Sequence, residues 1–186
     1  EWDLHLWKEI ERVKHKFFFL SSTIIEPKQS VHHKEILSPF NYGDSPETFK
    51  ESALLSEYKS IVGADWHGAT WPPNVVHRDL WDLVGGYSVE LFPGLYSDPD
   101  FSMKLYEAGV RYFKGINLSR AYHFGSKSTR RVVLNNGSKQ FLSKWGITSS
   151  TFTRFFLRRG EVFSNGATPN LAINGLRNAL LKNKLK

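Results

Sequence analysis

The chain has 186 residues, 40% of them hydrophobic and 15% aromatic, with a formal charge of +7 and no cysteine. That composition provides for one domain with a real core and excludes a disordered chain, a disulfide framework and a thiolate metal site. The charge favours an anionic partner (a nucleotide diphosphate, a nucleic acid or a membrane surface), and no apolar run is long enough to span a bilayer.

Trp2-Asp3-Leu4 opens a predicted amphipathic helix in which Leu6, Ile10 and Val13 share one face, with Glu9 and Glu11 among the basic residues of the other. Phe17 to Leu20 reads as a buried strand, and Ser21 to Pro27 as its end and a turn. Lys28 to Asn41 is polar and reads as a loop. Its adjacent His32 and His33 point in different directions on any regular element and lack a third ligand at suitable spacing, so they read as surface histidines. Ser45 is placed to cap a helix running from Pro46 to about Tyr58.

Gly63 to Pro73 is dense in groups able to contact a sugar. Trp66 and Trp71 can stack on apolar faces, while Asp65, His67 and Asn74 can hydrogen-bond hydroxyls. The same tryptophans serve equally well as core, with Pro72-Pro73 as a rigid turn. Val75 to Trp81 leads into a short helix that ends at Gly85-Gly86, glycines that permit a tight turn or the close approach of another group. Ser97-Asp98-Pro99-Asp100 then starts a helix: Ser97 is its expected cap, the two carboxylates favour the positive end of the dipole, and Gly109 supplies the stop. Carboxylates so placed are usually structural; a catalytic one would need further support.

Val110 to Ile116 and Ser119 to Phe124 read as two strands, the second carrying His123. Gly125 to Arg131 is a basic loop in which Lys127, Arg130 and Arg131 suit phosphate oxygens, a solvated turn or a nucleic-acid patch. A helix through Trp145, a turn at Lys144-Trp145-Gly146 and another helix from Ser150 to Arg159, stopped by Gly160, follow. Beyond Pro169 a basic amphipathic helix suits docking on the domain, on a partner or peripherally on an anionic membrane.

The order of these parts, Trp81 through Gly86, then Ser97-Asp98, then Gly109-Val110-Arg111, then His123, resembles the acceptor half of a family 2 glycosyltransferase. The resemblance runs from about Trp2 to Gly160. It implies an α/β fold, a partial GT-A (Rossmann-like) domain of mixed sheet flanked by helices over residues 1–160, with a helical extension over 161–186. In that family a glycine pair precedes an acidic motif, usually Glu-Asp, whose Asp is the general base. Asp98 matches the base, and Ser97 stands where the Glu is usual.

The resemblance further implies inverting transfer from a nucleotide-diphospho-sugar donor to a hydroxyl of a glycan or related acceptor, without nucleic acid. Asp65, Trp71, Gly85, Gly86 and Ser97 fall on the substrate side, Lys127, Arg130 and Arg131 at the diphosphate, and His123 at a divalent cation, Mn2+ or Mg2+. The other cation ligands come from an Asp-x-Asp motif that in the family lies before a Trp-Asp pair like Trp2-Asp3. No such motif precedes Trp2 in this sequence, and Glu1 stands in place of a methionine, so the expectation is an incomplete enzyme, cytoplasmic or peripheral to a membrane. The alternative of a different class is a non-catalytic module that binds a glycan or a polyanion.

Overall fold

The structure is a computed structural model that describes residues 2–92, 95–125 and 135–166. It is α/β, built on a four-stranded mixed sheet in the order β2-β4-β1-β3. The two inner strands, β1 (Phe18–Ile25) and β4 (Tyr112–Tyr122), run parallel, and the short outer strands β2 (Trp66–His67) and β3 (Asn74–Val76) are antiparallel to their neighbours.

Every residue of β1 is buried, as an inner strand covered on both faces requires. Alternation decides which layer each side chain joins. Phe18 and Leu20 pack with Leu6 of helix α1 (Trp2–Val13), while Phe19 joins Phe101, Phe113, Phe141 and Phe152 in the larger cluster opposite. That second layer comprises α3 (Arg78–Val84), α4 (Ser97–Glu107), α5 (Gly137–Trp145) and α6 (Ser149–Thr151), the last continuing as a π-helical turn over Phe152–Phe156. Helix α2 (Glu51–Glu57) stands on the connection from β1 to β2.

Several expected boundaries move. β1 continues through Ser21–Ile25, where the sequence suggests a turn, because those residues find ladder partners on β4. The two expected strands around His123 are one, β4; its pairing jumps from Ile116 to Arg120 between Ser22 and Thr23 of β1, so residues 117–119 bulge. The expected Pro46–Tyr58 helix is broken. Pro46–Thr48 is a single 3-10 turn, and Phe49 turns extended to stack on Tyr122 at 5.3 Å before α2 begins. Tyr96, with a φ of 73°, takes the cap position of α4 expected for Ser97, and Thr148 caps α6 in place of Ser150. The expected C-terminal helix lies outside the described residues.

Trp66 needs a glycine opposite it. Its indole lies so close over Gly115 on β4 that a β-carbon there would fall 1.8 Å from the ring, and its Nε1 donates to Thr23 Oγ1 at 2.9 Å. This places Trp66 in the core, one of the two roles open to it.

Glu9, expected on the polar face of α1, is buried. Lys114, also buried, places its ammonium 3.1 Å from Glu9 and 2.8 Å from Asp65. Arg12 forks onto Glu9, and the Tyr112 hydroxyl donates to it at 2.5 Å. Burial alone raises the Glu9 carboxyl, but the hydrogen bonds from Arg12, Tyr112 and Lys114 outweigh it and hold the group at about 2, below its ordinary 4.5. A depressed folded-state value contributes stability that is fully present above about pH 4.5 and lost as the pH falls towards 2. Glu9→Gln is expected to cost about 2–3 kcal/mol at pH 7, as an equilibrium urea titration would measure, with the deficit closing between pH 4.5 and 2.

Candidate functional site

The carboxyl ends of parallel strands are where α/β sheets commonly hold ligands, since strand ends and helix starts converge there. β1 and β4 end together at a cleft of about 660 Å³ lined by Glu26, His33, Trp71, Asp98 and His123. A second chamber of about 630 Å³ adjoins it, walled by Tyr87, Val89, Leu91 and Phe92. Pro72 and Asp98 line both.

Asp98 and Asp100, two positions apart in the first turn of α4, meet opposite surroundings. Residues at i and i+2 of a helix do not share a face. Asp100 is fully buried and partnered: Ser88 Oγ donates to Oδ2 at 2.5 Å, Trp145 Nε1 donates to Oδ1 at 2.7 Å, and Lys144 Nζ lies 3.0 Å from Oδ1. Asp98 makes no hydrogen bond or ion pair with any described residue, and burial pushes its carboxyl up to about 6 from the ordinary 3.8. The structural role considered for the acidic pair therefore falls to Asp100.

His123 follows the last residue of β4, its backbone amide still bonded to Ile25, and its Nδ1 lies 2.6 Å from Glu26 Oε1. That contact leaves Nε2 for another partner. Glu26 carries no sequence motif; only the parallel pairing of β1 and β4 sets it beside His123.

The remaining wall is fixed from behind. Arg159 stacks on Trp71, its guanidinium carbon 4.8 Å from the ring centroid, and lies 3.2 Å from both Glu35 Oε1 and His33 Nδ1. The same Nδ1 lies 3.4 Å from Glu35 Oε1, so the His33 ring is held between the guanidinium and the carboxylate. His33, read from sequence as a surface residue, thus belongs to the cleft.

The sequence-selected residues divide accordingly. Asp98, Trp71 and His123 meet in one cleft, with Ser97 beside Asp98 in the second chamber. Gly85 caps α3 with a φ of 70°, and Gly86 lies so near Trp81 that a β-carbon would come within 2.6 Å of its ring. They turn the chain so that Tyr87 packs on Phe101 with ring centroids 4.7 Å apart, and neither glycine lines the cleft or the chamber. Asp65 lines neither cavity; it is held by Lys114 and by the Asn117 amide at 2.9 Å. Lys127, Arg130 and Arg131 lie outside the described residues. Among the described residues no three His, Cys, Asp or Glu side chains group so as to hold a metal ion, and no helix is long and apolar enough to cross a membrane.

The raised value at Asp98 means that its ionised form is disfavoured in the fold, a deficit that develops from about pH 4 to 6 and is complete above. Asp98→Asn is expected to stabilise the protein by about 1–2 kcal/mol at pH 8 and by nothing at pH 3.5, measured by urea titration. Asp100→Asn, which leaves Lys144 facing a neutral amide, should instead cost about 3 kcal/mol at pH 8.

Compared with known proteins, the chain matches no family model, no curated protein and no solved structure.

Proposed function

We propose that the chain is the acceptor-side part of an inverting glycosyltransferase with a GT-A fold resembling family 2, in which Asp98 is the general base. One observation carries the reading: Asp98 is a partly desolvated carboxylate, without a partner among the described residues, in the wall shared by two cavities. A carboxylate with that value is ionised at neutral pH, yet basic enough to accept a proton in a transition state. The cleft with Glu26, His33 and His123 is the polar one and suits the donor sugar; the chamber beyond Asp98 suits the acceptor.

In the transfer, the acceptor hydroxyl points at Asp98. Its oxygen attacks the anomeric carbon as the proton passes to the carboxylate, the bond from that carbon to the diphosphate breaks, and the nucleoside diphosphate leaves with the electron pair. Attack from the side opposite the leaving group inverts the anomeric centre. Trp71, held by Arg159, offers a flat apolar face to a pyranose, and the His33 ring in the same lining can hydrogen-bond a hydroxyl.

The described residues fit one corner of a cation site. His123, with Nδ1 held by Glu26, is oriented as metal-binding histidines are, and it would be this chain's ligand. A divalent cation, when bound, neutralises charge on the departing diphosphate.

The test is nucleotide release from a panel of nucleotide sugars with an acceptor, with and without Mn2+, using the full natural reading frame that contains this chain. The turnover rate should rise with pH to a plateau above about 6, because the base must be ionised. Asp98→Asn should lower it about 10²- to 10⁴-fold, and a variant that kept a third of the rate would sink the assignment. Saccharide binding without turnover in either protein would instead support the non-catalytic glycan-binding module.

A further inference from the structure

The two cavities that meet at Asp98 differ in what they can bind. The cleft offers Glu26, His33, His123 and a Trp71 indole N–H that is buried with no hydrogen-bond partner among the described residues. The chamber offers almost none. Its outer wall is the single 3-10 turn Val89–Leu91 with its flanks, and that turn closes its own backbone: the Leu91 amide donates to Ser88 O at 3.3 Å and the Phe92 amide to Val89 O at 3.0 Å.

Its polar side chains are few and largely committed. The Ser88 hydroxyl donates to Asp100 at 2.5 Å and takes Lys144 at 3.0 Å, and the Tyr87 hydroxyl takes Asn74 at 3.4 Å. Among the described residues of the lining Asp98 is the one that carries a charge. Against this stand Val89 and Phe92, 86% and 82% exposed, with Leu91 and Pro72 in the same lining.

A polyhydroxylated glycan buried there would lose hydrogen bonds to water without replacing them, and an anionic acceptor would meet the negative charge of Asp98 with no cation among the described residues of the lining. Resting on the transferase reading, we infer that the acceptor is a neutral hydroxyl compound with an apolar aglycone, an alkyl or aryl group, that lies along Val89, Leu91 and Phe92 while a single hydroxyl reaches Asp98. Apolar contact supplies the affinity, and the one carboxylate selects the hydroxyl that reacts.

The experiment compares methyl β-glucoside with octyl β-glucoside, kept below its micelle concentration, by titration into the 15N-labelled chain while the Val89 and Phe92 amides are followed. Octyl glucoside should perturb both with a Kd at least about 10-fold lower than that of the methyl glucoside. In a Val89→Ser, Phe92→Ser double variant the advantage should fall below about threefold. Both side chains are largely exposed, so their loss should leave the fold intact, which the unchanged remainder of the spectrum would verify. Equal affinities, no response at these amides, or an octyl advantage that survives in the variant would each overturn the inference.

The transferase reading fails separately. Selective octyl binding with no nucleotide release from any donor would leave an apolar ligand site and retire the enzyme. Turnover that uses methyl and octyl acceptors with the same KM would keep the enzyme and retire the apolar acceptor.

Discussion

The buried carboxylate of Asp100 is the constraint on which the site depends. Taking a carboxylate out of water costs several kcal/mol unless its lone pairs are met. Ser88, Lys144 and Trp145 meet them from positions 12, 44 and 45 residues away. The cost of leaving any of these contacts unmade fixes the turn at Ser88, the start of α4 and the end of α5 relative to one another. The first turn of α4 then cannot roll, so Asp98 is left facing the space between the two cavities.

Asp98 shows the opposite arrangement. It is desolvated enough to be raised to about 6, and no described residue compensates its charge. A fold selected for stability alone would have solvated or paired it, and unpaired carboxylates of this kind concentrate where chemistry needs them. The neighbouring groups follow the same division of labour. Arg159 packs on Trp71 and pairs with Glu35, and Glu26 orients His123, while Trp71 Nε1 keeps no hydrogen-bond partner among the described residues. The apolar chamber on the far side of Asp98 gives the carboxylate two different environments to join.

Local signals carried much of the architecture. The heptad-like spacing of Leu6, Ile10 and Val13 marked α1, Gly85 marked the end of α3, and Gly109, at a φ of 98°, marked the stop after α4, because helix faces and left-handed glycines are properties of a few adjacent residues. Asp98 and His123 were picked out by the order of parts that resembles the family and Trp71 by the aromatic-rich stretch around it; the structure sets all three in the lining of one cleft. Strand limits were not. Whether Ser21 to Ile25 extends β1, or residues 117–119 interrupt β4 or merely bulge from it, depends on partners about 90 positions away.

The amino-acid sequence by itself determined the buried face of α1, the glycine stops of α3 and α4, and that Asp98 and Asp100 sit together in one helical turn. Only the tertiary structure decided which of those two carboxylates is structural, that Glu9 and Asp65 are held by a buried Lys114, and that Glu26, His33 and Arg159 belong to the candidate site. The reason is physical. A helix face or a cap is an interaction over three or four residues and is written in their spacing, whereas the state of a charge depends on what surrounds it in three dimensions, and those neighbours are assembled only when distant strands pair.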